Sequence, residues 1–361
     1  VKEESTSFFK KKGAPPGVAK KLLLRFARGW TASGSAPREA EQKFFARFFS
    51  KKRFFPCFLL LCALLPLLGD NTDRQLGFEF AATLTLATLW NLLAGYAGVV
   101  SIGQQAFVGL GAYFLFALVV FAGVPALAAV PLAALACGVI AVPSARLLFR
   151  LRGPFFAIGS WVLAEVFRLT FAQISSLGGG SGMSLPIMSI LAISHSRPER
   201  LLLFYVFSAA LALATTALVF ALLKSRFGLG LTAIRDAEPA AASLGVDVMW
   251  LKRVVYIIVA AVTGLAGALL FLQNVRISPD AAFSVNDWTA NIIFIVVIGG
   301  IGRLEGPLIG CLVFFGLRAA FADYGAWYLI GLGLLAILMM LLAPAGIAGL
   351  LDQLRNRLQK R

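Results

Sequence analysis

Few side chains in this sequence could do chemistry. There is one histidine, His195, in 361 residues, and four cysteines, Cys57, Cys62, Cys137 and Cys311, each inside an apolar run without CxxC spacing. A histidine-based metal or catalytic cluster within one chain is excluded, and the thiols read as small buried hydrophobes. Glu165 and Arg168 stand three apart in an apolar stretch, so they share one helical face and can neutralise each other. A charge at the centre of a spanning helix costs about 2.5–3.5 kcal/mol, so such a pair serves either structural pairing or contact with something that passes. Trp161, one turn earlier, reads as packing. Asn91, Gln104, Gln105 and Tyr113 lie in or beside apolar runs, and two roles stand open for them: lining a zwitterion's path, or hydrogen-bonding helix to helix.

The elements that must hold these residues are helices. The chain is 59% hydrophobic and 14% charged, which is the composition of a polytopic membrane protein and not of a soluble domain. Apolar runs at 54–69, 79–98, 104–122, 126–148, 154–175, 201–223, 254–273, 288–300, 307–322 and 327–343 approach the length that crosses a bilayer. Nothing alternates as a barrel strand does, so backbone groups in lipid must be satisfied within helices. The expected fold is an all-α polytopic bundle of about 8–10 transmembrane helices. Glycines interrupt it at 95–103 and again at 299–307. One interruption in each half points to an internal pseudo-repeat, and two ordinary tight turns would read the same way.

The net charge of +16 is placed for membrane orientation and not for nucleic acid. Fourteen of the 33 Lys and Arg residues precede the first span, and an amino terminus inside puts 27 of the 33 on the inner side. The expectation is N-in/C-in with an even number of spans. Residues 1–53 form a basic cytoplasmic tail that anionic lipid would attract; in it Phe44, Phe45, Phe48 and Phe49 stripe a possible interfacial helix. Residues 54–350 form the transmembrane domain, and 351–361 a basic cytoplasmic tail. The first apolar run begins at Phe54 with no small-residue cleavage site after it, so no signal peptide is expected. The sequence opens with Val, so its natural start is left open.

Between the runs 201–223 and 254–273 lies a polar island, within 229–253. Pro239 suits a first helical turn with Glu238 before it; Ala240, Ala241 and Leu244 continue that turn; Gly245 suits a left-handed stop; Asp247 can cap the next helix. The product is a short surface helix that either seats in another protein's groove or merely solvates the membrane face.

Five stretches resemble one family in order along the chain. They are Asn91 through Gly95, Tyr96, Gly98, Ser101, Gly103, Gln104, Gln105, Phe107, Gly109 and Gly111 to Tyr113; Gly153-Pro-Phe-Phe-Ala157 with Glu165 and Arg168; Gly178–Gly182; Arg235-Asp236-Ala-Glu238-Pro239 to Gly245, then Lys252; and Gly299-Gly-Ile-Gly302 with Gly306-Pro307. The pattern, from about residue 80 to 345, is similar to the branched-chain amino-acid ABC importer permeases, LivM-type. That resemblance implies a cell inner-membrane transport subunit, not an enzyme. It implies a homologous second permease (LivH-like), two cytoplasmic ATP-binding subunits and a periplasmic or extracellular substrate-binding protein as partners. It gives Arg235, Asp236, Glu238, Pro239, Ala240, Ala241, Leu244 and Gly245 to ATPase coupling. Asn91, Tyr96, Gln104, Gln105, Phe107, Tyr113, Glu165 and Arg168 become candidates for the substrate pathway. No GxxxxGK[ST] occurs, so ATP is expected to act through the partner and no cofactor through this chain. Permeases for urea, short amides or other amino acids share the pattern. An ATP-independent carrier would call for more intramembrane carboxylates than Glu165, and an intramembrane protease for a Ser–His or paired-Asp site that the spans lack.

Overall fold

The computed structural model describes residues 70–321 together with 330, 331, 333, 334, 337–339, 341 and 346–350. The basic tail, the Phe44–Phe49 stripe, the run 54–69, Cys57, Cys62, the tail 351–361 and much of the run 327–343 lie outside the described residues.

Helix α1 (Asn71–Asn91) starts on Asp70, whose backbone N–H donates to the Asp73 carboxylate at 3.1 Å in a capping box. That cap lets a polar first turn join the helix, which therefore begins eight residues before the apolar run that betrays it. A wide turn, Leu92–Tyr96, ends α1, with the Ala97 N–H reaching five residues back to the Leu92 carbonyl. Helices α2 (Gln104–Phe121), α3 (Ala126–Leu148) and α4 (Pro154–Gln173) come next. Then come a two-residue strand β1 (Met183–Ser184), α5 (Ile187–Leu191), α6 (Arg197–Lys224), α7 (Arg226–Ser243) and α8 (Val248–Asn274). Strand β2 (Arg276–Ile277), α9 (Pro279–Ala282), a second wide turn (Val285–Ala290), α10 (Asn291–Gly299) and α11 (Gly306–Phe321) complete the described order.

Six stretches are long and apolar enough to span a membrane, among them Pro279–Gly299, which joins α9, the wide turn and α10. Gln104–Val120 and Gly306–Phe321 are shorter apolar helices. The chain is an all-α, multi-pass membrane protein. Its core is the mutual packing of α2, α3 and α8, with α1 against α8 and α6. A Cβ on Gly111 of α2 would strike the Gly264 carbonyl of α8, so these two backbones touch without a side chain between them.

The contacts between connections gather at two ends of the bundle. Residues 92–103, 225–247 and 300–305 meet at one end, the island end; residues 174–196 and 275–284 meet at the other. At that other end β1 pairs antiparallel with β2, Met183 opposite Ile277. The Leu185 N–H also donates to the Val275 carbonyl at 2.9 Å. The glycine stretch 178–182 is therefore tied down against 275–278. Val275, the one non-glycine residue with positive φ (62°) among those described, turns the chain out of α8 into β2.

Trp161 corrects an expectation: it is 49% exposed, on an outward α4 face with Ile158, Val162, Val166 and Leu169. Where the surrounding medium is lipid, an outward face is as apolar as an inward one, so residue type does not say which way it points.

Candidate functional site

At the island end, α7 is two helical pieces. The backbone of Ala237 is extended (φ −159°, ψ 87°), so the chain kinks between Asp236 and Glu238 and restarts with Pro239 in its first turn. The helix thus begins at Arg226, earlier than the short element read from sequence. Gly245 takes φ +86° at the stop, and the Asp247 carboxylate accepts from the Trp250 N–H at 3.0 Å to start α8.

Three contacts hold this segment to the bundle. The Lys252 ammonium pairs with Glu238 at 2.8 Å, with the lysine only 12% exposed. Ala241 is buried. Arg235, steadied by the Asp236 carboxylate at 2.9 Å, donates from Nη1 to the Gly95 carbonyl at 3.0 Å. Facing outward are Pro239, Ala240 and Leu244, beside exposed Phe227, Leu229, Met249 and Trp250. The Phe227 and Trp250 rings lie 6.0 Å apart.

Arg235 reaches a junction of both glycine interruptions. The Asn91 carboxamide bridges it: Oδ1 accepts from the Gly302 N–H at 2.8 Å, and Nδ2 donates to the Arg303 carbonyl at 2.8 Å. A Cβ on Gly95 would overlap the Gly302 backbone, so these two turns touch main chain to main chain. Arg303 in turn donates to the Ala348 carbonyl at 3.0 Å. Tyr96 is buried beside this junction. Asn91 and Tyr96, read from the sequence as pathway candidates, both lie at this junction, and the Asn91 carboxamide is taken up by main-chain groups there.

In mid-bundle, residues 97–103 climb back beside α1 as irregular chain, so that Gln104 opens α2 level with Leu86. Irregular backbone at that depth is tolerated only when protein satisfies it. Trp90 Nε1 donates to the Ser101 carbonyl at 2.8 Å, and Ser160 Oγ accepts the Ile102 N–H at 3.0 Å. Gln104 Nε2 donates to the Leu86 carbonyl at 3.0 Å, and Gln105 is hydrogen-bonded to the Thr289 hydroxyl. The Phe107 ring packs edge-on to Tyr256 at 5.7 Å. Gln104, Gln105 and Phe107 are all buried.

At the far end the charged pair has a third member. Arg168 donates to Glu165 from Nε at 2.9 Å and reaches Asp280 of α9 from Nη1 at 2.6 Å. In the sequence Asp280 stands only as a loop residue; its partner is 112 positions away, and no local spacing signals it. Here Phe171 stacks on Tyr113 at 4.4 Å, and Phe283 stacks on Tyr113 and Phe171 at 5.9 and 5.8 Å. Glu165 and Asp280 keep 43% and 77% of their side chains exposed, so of the pathway candidates it is Glu165 and Arg168 that meet the surroundings. His195 borders a shallow hollow of about 430 Å³ with Ser194 and Glu199. Among the described residues no three His, Cys, Asp or Glu side chains gather as a metal site would need.

Comparison with known proteins gives consistent likenesses. Residues 76–344 match the family described as branched-chain amino acid transport system / permease component. The chain is 24% identical over 319 residues to the high-affinity branched-chain amino acid transport system permease protein LivM of Salmonella typhimurium, covering 82% of this chain and 75% of the relative. LivM of Escherichia coli matches at the same identity and coverage. A probable LivH permease of Methanocaldococcus jannaschii is 27% identical over 160 residues, 41% of this chain and 48% of that protein. No solved structure matches the chain.

Proposed function

The chain belongs to the branched-chain amino acid transport permease family, LivM-type, and from that premise we propose that it is one transmembrane permease of an ATP-driven importer. In this reading it lies in the cell inner membrane with both termini inside and forms half of the pathway beside a LivH-like partner. Two cytoplasmic ATPases drive it, and an external binding protein delivers the substrate. Branched-chain or closely related amino acids are the cargo, on the strength of the relatives' names. The carrying observation is the island: a segment between two span-length helices, braced inward by Arg235, Ala241 and Lys252, that turns an apolar face outward at Leu229, Leu244 and Trp250. Exposed apolar surface rimmed by charge marks a protein or membrane contact, and on this segment between spans we assign it to a protein partner. Movement imposed there reaches the glycine junction through Arg235.

The test is a reconstituted importer carrying Glu238→Arg. That change sets two cations against each other at the buried Lys252 stem and should tilt the second piece of α7. ATP hydrolysis should persist while substrate uptake per ATP falls at least several-fold. Uptake that stays coupled, or a purified importer that never holds an ATPase, would remove the reading.

A further inference from the structure

Gln104 opens α2 with half of its carboxamide accounted for. Its Nε2 donates to the Leu86 carbonyl, a group that can only accept, and more weakly to Thr263 Oγ1 at 3.4 Å. This fixes the amide's orientation and leaves Oε1 buried without a partner among the described residues. Gln104 itself is 3% exposed. The same residue borders a cavity of about 10 Å³, whose wall also contains Ser101, Thr263, Ala260, Tyr256 and Phe107. A cavity of roughly 10–15 Å³ by this measure holds one water when two to four polar groups face it.

We propose that this cavity is a site for a single structural water bridging Gln104 Oε1 to the Ser101 and Thr263 hydroxyls. The donor and acceptor count closes. Ser101 Oγ accepts from the Gly103 N–H at 3.2 Å and Thr263 Oγ1 accepts from Gln104, so each hydroxyl still has its own hydrogen to give. The water donates to Oε1, which no described protein group serves, and accepts from one or both hydroxyls. That gives about three bonds, as buried waters usually make. A metal ion is disfavoured because the wall offers neutral oxygens alone, and an unpaired charge in so apolar a place is costly. The molecule joins the irregular stretch 97–103, the start of α2 and the middle of α8 at the level where α1 and α2 part. The site is independent of the transport reading, and its test uses only the chain.

A double-mutant cycle on the chain in lipid nanodiscs decides it. Ala260→Val pushes methyl groups into the cavity. If water occupies the site, its displacement orphans Oε1, and Tm falls by roughly 2–4 °C. In a Gln104→Met background the carbonyl oxygen that the water serves is gone, so the same valine should cost clearly less or should raise Tm. A rise on adding valine to the native chain would mean a dry cavity, and an equal fall in both backgrounds would mean simple overpacking; either overturns the proposal. Where Gln104→Met does not accumulate, a map of the assembled protein should show density within about 2.6–3.2 Å of Oε1. Its absence at a resolution that reveals comparable buried waters would also overturn it.

Discussion

Replacing Asn91 tests whether this residue serves the fold or the cargo. Its two hydrogen bonds, both 2.8 Å, end on main-chain groups of the 300–305 turn, and Asn91 is 1% exposed. Removing the carboxamide leaves the Gly302 N–H and the Arg303 carbonyl without that partner, at about 1–3 kcal/mol for each group left dry. Gly302 and Arg303 are only half-buried, so water recovers part of this, and we expect about 2–4 kcal/mol in total. At roughly 2–4 °C per kcal/mol, Tm should drop by about 4–16 °C. Asn91→Leu keeps the volume and isolates the hydrogen bonds, whereas Asn91→Ala adds a small cavity and should be lower still. Buried Cys137 and Cys311 supply the assay, because a thiol-reactive dye labels them as the bundle opens. If Asn91→Leu melted within about 1 °C of the native chain while the concentration for half-maximal uptake changed, the junction would not rest on this residue, and its place would be the pathway.

Three other sites give further outcomes. Val275→Gly should raise Tm, since a β-branched residue at φ 62° carries about 1–3 kcal/mol of backbone strain; an unchanged or lower Tm would show that its side-chain packing outweighs the strain. Arg168→Met should lower Tm more than Asp280→Asn, because the first leaves two carboxylates facing each other and the second leaves the Arg168–Glu165 pair intact; the opposite order would mean that the contact across to α9 is the one that matters. Gly111→Val should prevent the chain from accumulating in the membrane, as its side chain would meet the Gly264 main chain; normal accumulation would show that α2 and α8 can part.

What the sequence reveals here is local. Run length finds the spans, Gly245 and Asp247 mark the stop and the cap around them, and the i, i+3 spacing joins Glu165 to Arg168. Each rests on chemistry acting over a few residues. Arg235 meeting Gly95, Asn91 meeting Gly302 and Arg168 meeting Asp280 are long-range pairings, and helical periodicity names a face without naming what lies across from it. The polar residues for which two roles stand open in the sequence show the same gap. A buried Gln in an apolar helix has to bond to something, and only the packed bundle shows that Leu86 and Thr289 supply it. Trp161 escapes a correct reading for a different reason, since lipid removes the polarity contrast that would separate outside from inside.

The contact between Gly95 and Gly302 has a mechanical consequence. Side chains are compliant: they change rotamer and absorb small displacements. At this point nothing compliant intervenes, and the Asn91 amide clips the two loops to each other. A displacement of one loop therefore has no side chain at this contact to absorb it before it meets the other.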